Sequence, residues 1–213
     1  MELKKLANNA IYFIIKRVIE IVGIGILITG ILLLLSLISF SPDDPNFIFP
    51  DNIEINNIFG FRGSFTADIF FQSLGLISLL IPFSLVASGL IIIFNKKIYI
   101  IIGSIFYTIL YSLFGSLFFS FFYPIAFKLY INGNGGFFGK YLAKTFFGSI
   151  ININSEVFYY ILILLVLTLF LISIHFNMNS FFKITKKLFK FLFSKTERNY
   201  TNKNEIISEF IPQ

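Results

Sequence analysis

Four long apolar stretches, at residues 21–41, 69–94, 98–127 and 157–174, carry no charged side chain and alternate with polar segments. About 20 helical apolar residues cross a hydrocarbon core of roughly 30 Å, so each stretch predicts a membrane span. Only Asn95, Lys96 and Lys97 separate the second stretch from the third. So short a connection makes those two spans a tight antiparallel hairpin. The first stretch follows Lys16 and Arg17 in the manner of a secretory leader, but its apolar run is too long and lacks a small-x-small cleavage pattern. It is expected to stay as an anchor.

The pattern predicts an all-α polytopic membrane protein with spans at about 18–41, 69–94, 98–127 and 157–176. Residues 1–17 form a cytoplasmic amphipathic N-terminus in this reading. After the fourth span, residues 177–194 are expected to form a basic amphipathic helix. Lys183, Lys186, Lys187 and Lys190 share one face there, while Phe181, Ile184, Leu188 and Leu192 point away. Such a helix just inside a membrane is drawn to anionic lipid headgroups. From residue 195 to 213 the periodicity is lost and the chain reads as the start of a polar linker.

The segment NGNGGFFGKY, residues 132–141, has the glycine density of a phosphate-binding loop. Its spacing is wrong. In G-x-x-x-x-G-K-[ST] ending on Gly139-Lys140 the first glycine would be Asn134, and Tyr141 stands where a hydroxyl should hold Mg²⁺. Read as G-x-G-x-x-G from Gly133, the third glycine falls on Phe138. The glycines instead supply a turn after the third span. Residues 137–150 then place Lys140 and Lys144 at i and i+4 among Phe138, Leu142, Phe146 and Phe147, which predicts a short interfacial helix before the fourth span.

Composition narrows the chemistry. With 56% hydrophobic and 13% charged residues, the chain is too apolar for an ordinary soluble domain. It has no cysteine and one histidine, which removes disulfides, thiolate metal sites and thiol nucleophiles and leaves little material for zinc or His-based catalysis. No catalytic, cofactor-binding or metal-ligating set is assigned. The net charge of +6 is distributed unevenly. Residues 1–17, the Lys96-Lys97 turn and the tail hold thirteen Lys and Arg, against four in loops 42–68 and 128–156. Cytoplasmic segments keep the basic excess, so both termini are expected inside and both longer loops outside. In the first of those loops, Asp43, Asp44, Asp51, Glu54 and Asp68 match no calcium-loop spacing and read as solvated carboxylates.

No ionisable group is expected deep in a span. Glu20, within reach of Lys16 and Arg17, and His175 read as interface residues at span ends. The third span carries Ser104, Thr108, Ser112, Ser116 and Ser120 at every fourth position, with Gly103 and Gly115 beside them. Small hydroxylated residues let helices approach closely and hydrogen-bond, so the row reads as a helix-packing stripe. The alternative is a polar pore lining, which would make the chain a small four-span transporter or channel. Gly23, Gly25 and Gly30 are a weaker packing signal in the first span.

Two outer segments carry a family signature. Pro42, Asp43, Asp44 and Pro45 leave the first span, and Asn57, Gly60, Gly63, Ala67, Asp68, Gly75 and Pro82 lead into and through the second. Gly135, Gly136 and Gly139 precede the fourth. This order resembles the amino-terminal four-span region of the FtsK/SpoIIIE family of bacterial DNA translocases, over roughly residues 10–176. Asn46-Phe47 stands where the family usually has Ser-Trp after the D-P pair. The resemblance implies a membrane anchor, itself no enzyme, that tethers a cytoplasmic ATP-driven DNA motor to the inner membrane at the division septum for chromosome segregation. It also implies a homo-oligomer, division-site protein partners, and contact with DNA only through the motor. No P-loop occurs in these residues, so either the motor lies downstream of Gln213, beyond the linker, or the chain is an anchor without a motor.

Overall fold

The first apolar stretch and its polar leader form one helix, α1 (Glu2–Ile38). At 1.5 Å per residue it is ~55 Å long, well beyond a bilayer core, so the residues before the span continue the same helix. The computed structural model describes residues 2–44, 55–125, 132–177 and Lys186. Residues 1–176 make one unit and residues 177–213 a second. Of the second, Asn177 and Lys186 are described, both exposed, with Lys186 helical. The expected basic face of Lys183, Lys187 and Lys190, and Pro45 and Asn46-Phe47 of the D-P segment, lie outside the described residues.

Two helices and a 3-10 segment make up the second span: α2 (Gly60–Leu74), residues Gly75–Leu80, and α3 (Ile81–Asn95). The third is α4 (Ile100–Phe122). Two short helices follow, α5 (Gly136–Ala143) and α6 (Phe146–Ile153), before the fourth span, α7 (Ser155–Ser173). No strand occurs among the described residues. Among the described residues, four segments are long and apolar enough to cross a membrane: Asn8–Ile38, Gly60–Asn95, Ile100–Phe122 and Ser155–Ser173.

These bounds differ from the sequence expectation in instructive places. The third helix stops at Phe122, not near residue 127, because Pro124 forces the preceding Tyr123 out of helical geometry (φ −135°, ψ 54°). The second starts at Gly60, nine residues earlier than expected. Its surplus length has a geometric outlet. Glu20 of α1 pairs with Lys96 past the end of α3, and Ser36 of α1 bonds to Gly63 of α2. Sixteen residues of α1, ~24 Å, therefore run beside a 33-residue stretch that would be ~50 Å long as one straight helix. The break at Gly75 redirects the chain. Pro82 sits in the first turn of α3, where its missing N–H leaves no partner stranded.

Packing follows the small residues. α1 and α3 touch backbone to backbone: a Cβ on Gly89 would sit 2.7 Å from Leu27 N and 2.8 Å from Gly23 O, and one on Gly30 would sit 2.9 Å from Val86. Gly23 and Gly30, seven apart, share this face, and Gly25 faces open space. Leu33 and Leu37 of α1 join Ala67, Phe71 and Ile81 in one core cluster. A second cluster, Leu117, Ile151 and Leu162, holds α4, α6 and α7 together.

The segment expected as one helix over 137–150 is two. Thr145 leaves helical geometry (φ −91°, ψ −171°), and a Cβ on Gly148 would overlap Ala143 O, so the chain doubles back closely. Lys140 and Lys144 are exposed, as are Phe137, Phe138 and Tyr141, while Gly136 and Gly139 are buried against the bundle.

Candidate functional site

Three polar constructions tie the spans together. The first clasps α1 to α2. Asp44, 1% exposed, accepts the backbone N–H groups of Asn56 (2.8 Å) and Asn57 (3.0 Å). Asn57, also buried, donates through Nδ2 to Ser36 O (2.9 Å) and accepts through Oδ1 from Phe59 N (3.1 Å). Ser36 Oγ donates to Gly63 O. A Cβ on Gly63 would overlap Asn57 Oδ1, so the close approach requires glycine. Ser39 Oγ accepts from Ile58 N (3.3 Å). Among the described residues of this clasp, the buried polar side chains of Ser36, Asp44 and Asn57 all have partners, as burial demands.

Solvated carboxylates were expected here, and two are not solvated. Asp44 and Asp68 are buried. Asp44 is held by backbone amides from twelve and thirteen residues away, a contact invisible to local spacing. Asp68 lies within the second span's helical stretch, with Gln72 Nε2 donating to its Oδ1 (3.4 Å). Asp43 and Arg62 are exposed, and Pro42 sits in the turn leaving α1. Asp51 and Glu54 lie outside the described residues.

The second construction fills the break in the second span. Gly75 has φ 74° and ψ −151°, a region open essentially to glycine alone. Leu76 N donates to Asn134 O (2.8 Å), and Asn134 Nδ2 donates to Tyr123 O (2.6 Å). Asn132 Nδ2 donates to Gln72 O (3.2 Å). The glycines of 133–139 are what lets this loop enter. A Cβ on Gly136 would lie 2.6 Å from Gly75 N and Ser73 O, one on Gly135 would lie 2.5 Å from Ser116 O, and one on Gly139 would overlap Ser116 O. The expected turn residues thus form a plug of bare backbone seated between α2 and α4. Asn134, expected from the sequence to be an accessible position of the outer loop, is fully buried. Its only signal there is an amide side chain flanked by glycines.

The third construction is the hydroxyl row of α4. Ser104 Oγ donates to Ser173 O (3.0 Å) and Thr108 Oγ1 pairs with Ser173 Oγ (2.8 Å), so the first half of the row faces α7. Ser116 Oγ lies 2.7 Å from Leu74 O, at the end of α2, and equally near Ser112 O. Ser120 lies against Gly135 and Gly139. A four-residue step advances a helix by ~40° beyond a full turn, so five such positions wind through ~160°. One row therefore meets α7 at one end and α2 and α5 at the other.

At the opposite end, Glu20 accepts from Arg17 and pairs with Lys96 at 2.7 Å, binding the hairpin turn to α1. Lys96 ends α3 in a left-handed conformation (φ 55°). His175 Nε2 lies 3.5 Å from Ser104 Oγ. No cluster of three metal-ligating side chains occurs among the described residues.

The family model for the 4TM region of DNA translocase FtsK/SpoIIIE matches residues 15–187. The chain belongs to this family. It is a multi-pass protein of the bacterial inner membrane, and the matched region is the membrane domain of FtsK/SpoIIIE translocases, distinct from their ATPase motor. Searches of the curated proteins and of the solved structures gave no significant match. Within this FtsK/SpoIIIE membrane domain, the motif positions gather in two places. Asp44, Asn57, Gly60, Gly63, Ala67 and Asp68 build or border the α1–α2 clasp. Gly75, Gly135, Gly136 and Gly139 build the plug, and Pro82 starts the helix beyond it.

Proposed function

We propose that this chain is the membrane anchor and septum-targeting domain of a cell-division DNA translocase. Both termini are cytoplasmic, and a DNA motor follows the polar linker and works in chromosome segregation. DNA is touched through that motor, and the membrane domain itself performs no catalysis. The observation that carries the reading is the family match across residues 15–187. Its orientation rests on the thirteen-to-four excess of Lys and Arg in the terminal and hairpin segments. Self-association, contact with division-site proteins through the outer segments, and attraction of the Lys183–Lys190 face to anionic headgroups complete the proposal.

Support for an anchor over a transporter or channel comes from the hydroxyl row. Ser104, Thr108 and Ser116 spend their hydrogen bonds on α7 and α2, where a pore lining would keep them for solute or water. A fluorescent fusion of residues 1–213, expressed in dividing cells of its own species with the native copy deleted or complemented, should concentrate at midcell. Uniform membrane fluorescence through constriction would remove the targeting role.

A further inference from the structure

We propose that the seam between α4 and α7 binds one phospholipid whose headgroup carries an organic ammonium. Two cavities lie along it. One, of about 490 Å³, opens at the start of α7 and is lined by Phe122, Ser155, Glu156, Tyr159 and Tyr160. The other, of about 230 Å³, has hydrocarbon walls that include Ile77, Phe118, Ile163, Leu167 and Phe170. On α7, Glu156, Tyr159, Tyr160, Ile163, Leu167 and Phe170 recur at three- and four-residue steps. On α4, Gly115, Phe118 and Phe122 do the same. Each helix thus presents the linings of both cavities on a single face, the polar mouth at the start of α7 and the apolar groove further along it.

The chemistry of the mouth selects the headgroup. Tyr159 is fixed by its hydroxyl pairing with Tyr123 at 2.9 Å and by near-perpendicular contacts with the rings of Phe122 (5.1 Å) and Tyr160 (5.3 Å). Aromatic faces attract an ammonium, and the exposed Glu156 carboxylate supplies its counter-charge. A headgroup bearing phosphate without a cation would meet that carboxylate unfavourably. Tyrosines at a span end also suit the headgroup layer. The groove then takes an acyl chain, for which a water-soluble ammonium has no counterpart. An apolar helix from a second copy would have to bury Glu156, at high cost.

The full chain, purified in detergent, is titrated with dioleoyl phosphatidylethanolamine, phosphatidylcholine or phosphatidylglycerol, and retained lipid is counted by native mass spectrometry. One ethanolamine or choline lipid per chain should be held, about fivefold more tightly than the glycerol lipid. Soluble ethanolamine or choline chloride at equal concentration should not displace it. Glu156→Gln, on the exposed rim, should abolish the headgroup preference, and Ile163→Trp should weaken retention of all three lipids. Equal retention of phosphatidylglycerol by the parent, or an unchanged preference in Glu156→Gln, overturns the assignment. So does a stable dimer that loses no mass on delipidation and dissociates in Ile163→Trp, which would make a second copy the occupant.

Discussion

Replacing Gly75 with alanine tests whether the glycine loop truly plugs the second span. Two costs are added at that position. The backbone at φ 74° and ψ −151° is one that an L side chain occupies with strain of about 1–3 kcal/mol. The new Cβ would also overlap the Asn134 carbonyl, so the loop must withdraw and strand Leu76 N–H, whose buried orphaning costs about 1–3 kcal/mol. Together these predict a loss of about 2–6 kcal/mol, a large share of the 5–15 kcal/mol typical of a folded domain. The control is Gly25→Ala, a helical position with nothing within 4 Å of its Cβ, where stability should be unchanged or slightly higher. Thermal unfolding of the two purified variants in the same detergent, beside the parent, gives the comparison. The loop should also become accessible, so Asn134→Cys should react with a thiol reagent only in the Gly75→Ala background. A Gly75→Ala protein within about 0.5 kcal/mol of the parent, with Asn134→Cys still protected, would refute the plug.

Asn57→Leu removes the donor to the buried Ser36 O and the acceptor for the part-buried Phe59 N; unfolding measurements should show a loss of about 1–3 kcal/mol, and much less for Asn56→Leu at the exposed neighbour. Replacing both Ser112 and Ser116 with Leu drives α4 away from Leu74 O and Gly139, so bundle stability should fall well below that of Ile105→Leu on the exposed face, with insertion unaffected. If this double variant keeps the parent's stability yet changes solute or ion flux in vesicles, the row lines a pathway and the transporter reading takes over. For topology, the chain's lack of cysteine allows single labels without a background. Asn56→Cys and Asn152→Cys, both exposed, should react with an impermeant thiol reagent from outside opened cells, and Lys97→Cys should not. Lys96→Met leaves Glu20 with Arg17 and should leave the unfolding midpoint nearly unchanged, because the pair is partly solvated.

The four spans and their all-α class are legible in the sequence because apolarity is additive along a chain: 18 or more uncharged residues answer the bilayer's thickness wherever they fall. The charge asymmetry between alternate segments is likewise a count and needs no coordinates. The family signature was readable as an ordered set of prolines, aspartates and glycines, but not what those residues do. Asp44 looks like any loop carboxylate until the amides of Asn56 and Asn57 are folded onto it, and Asp68 until a helix starting at Gly60 carries it into the second span. Gly75 and Gly135–Gly139 are separated by about 60 residues, and only the folded bundle brings their backbones together where a Cβ would collide. The hydroxyl row was visible as a period of four, but which neighbours it meets depends on where α2, α5 and α7 stand around a helix whose true period is 3.6. Span placement is a matter of each segment against lipid, summed locally; the clasp, the plug and the two-sided row are matches between surfaces distant in sequence, and such matches exist only after the helices have packed.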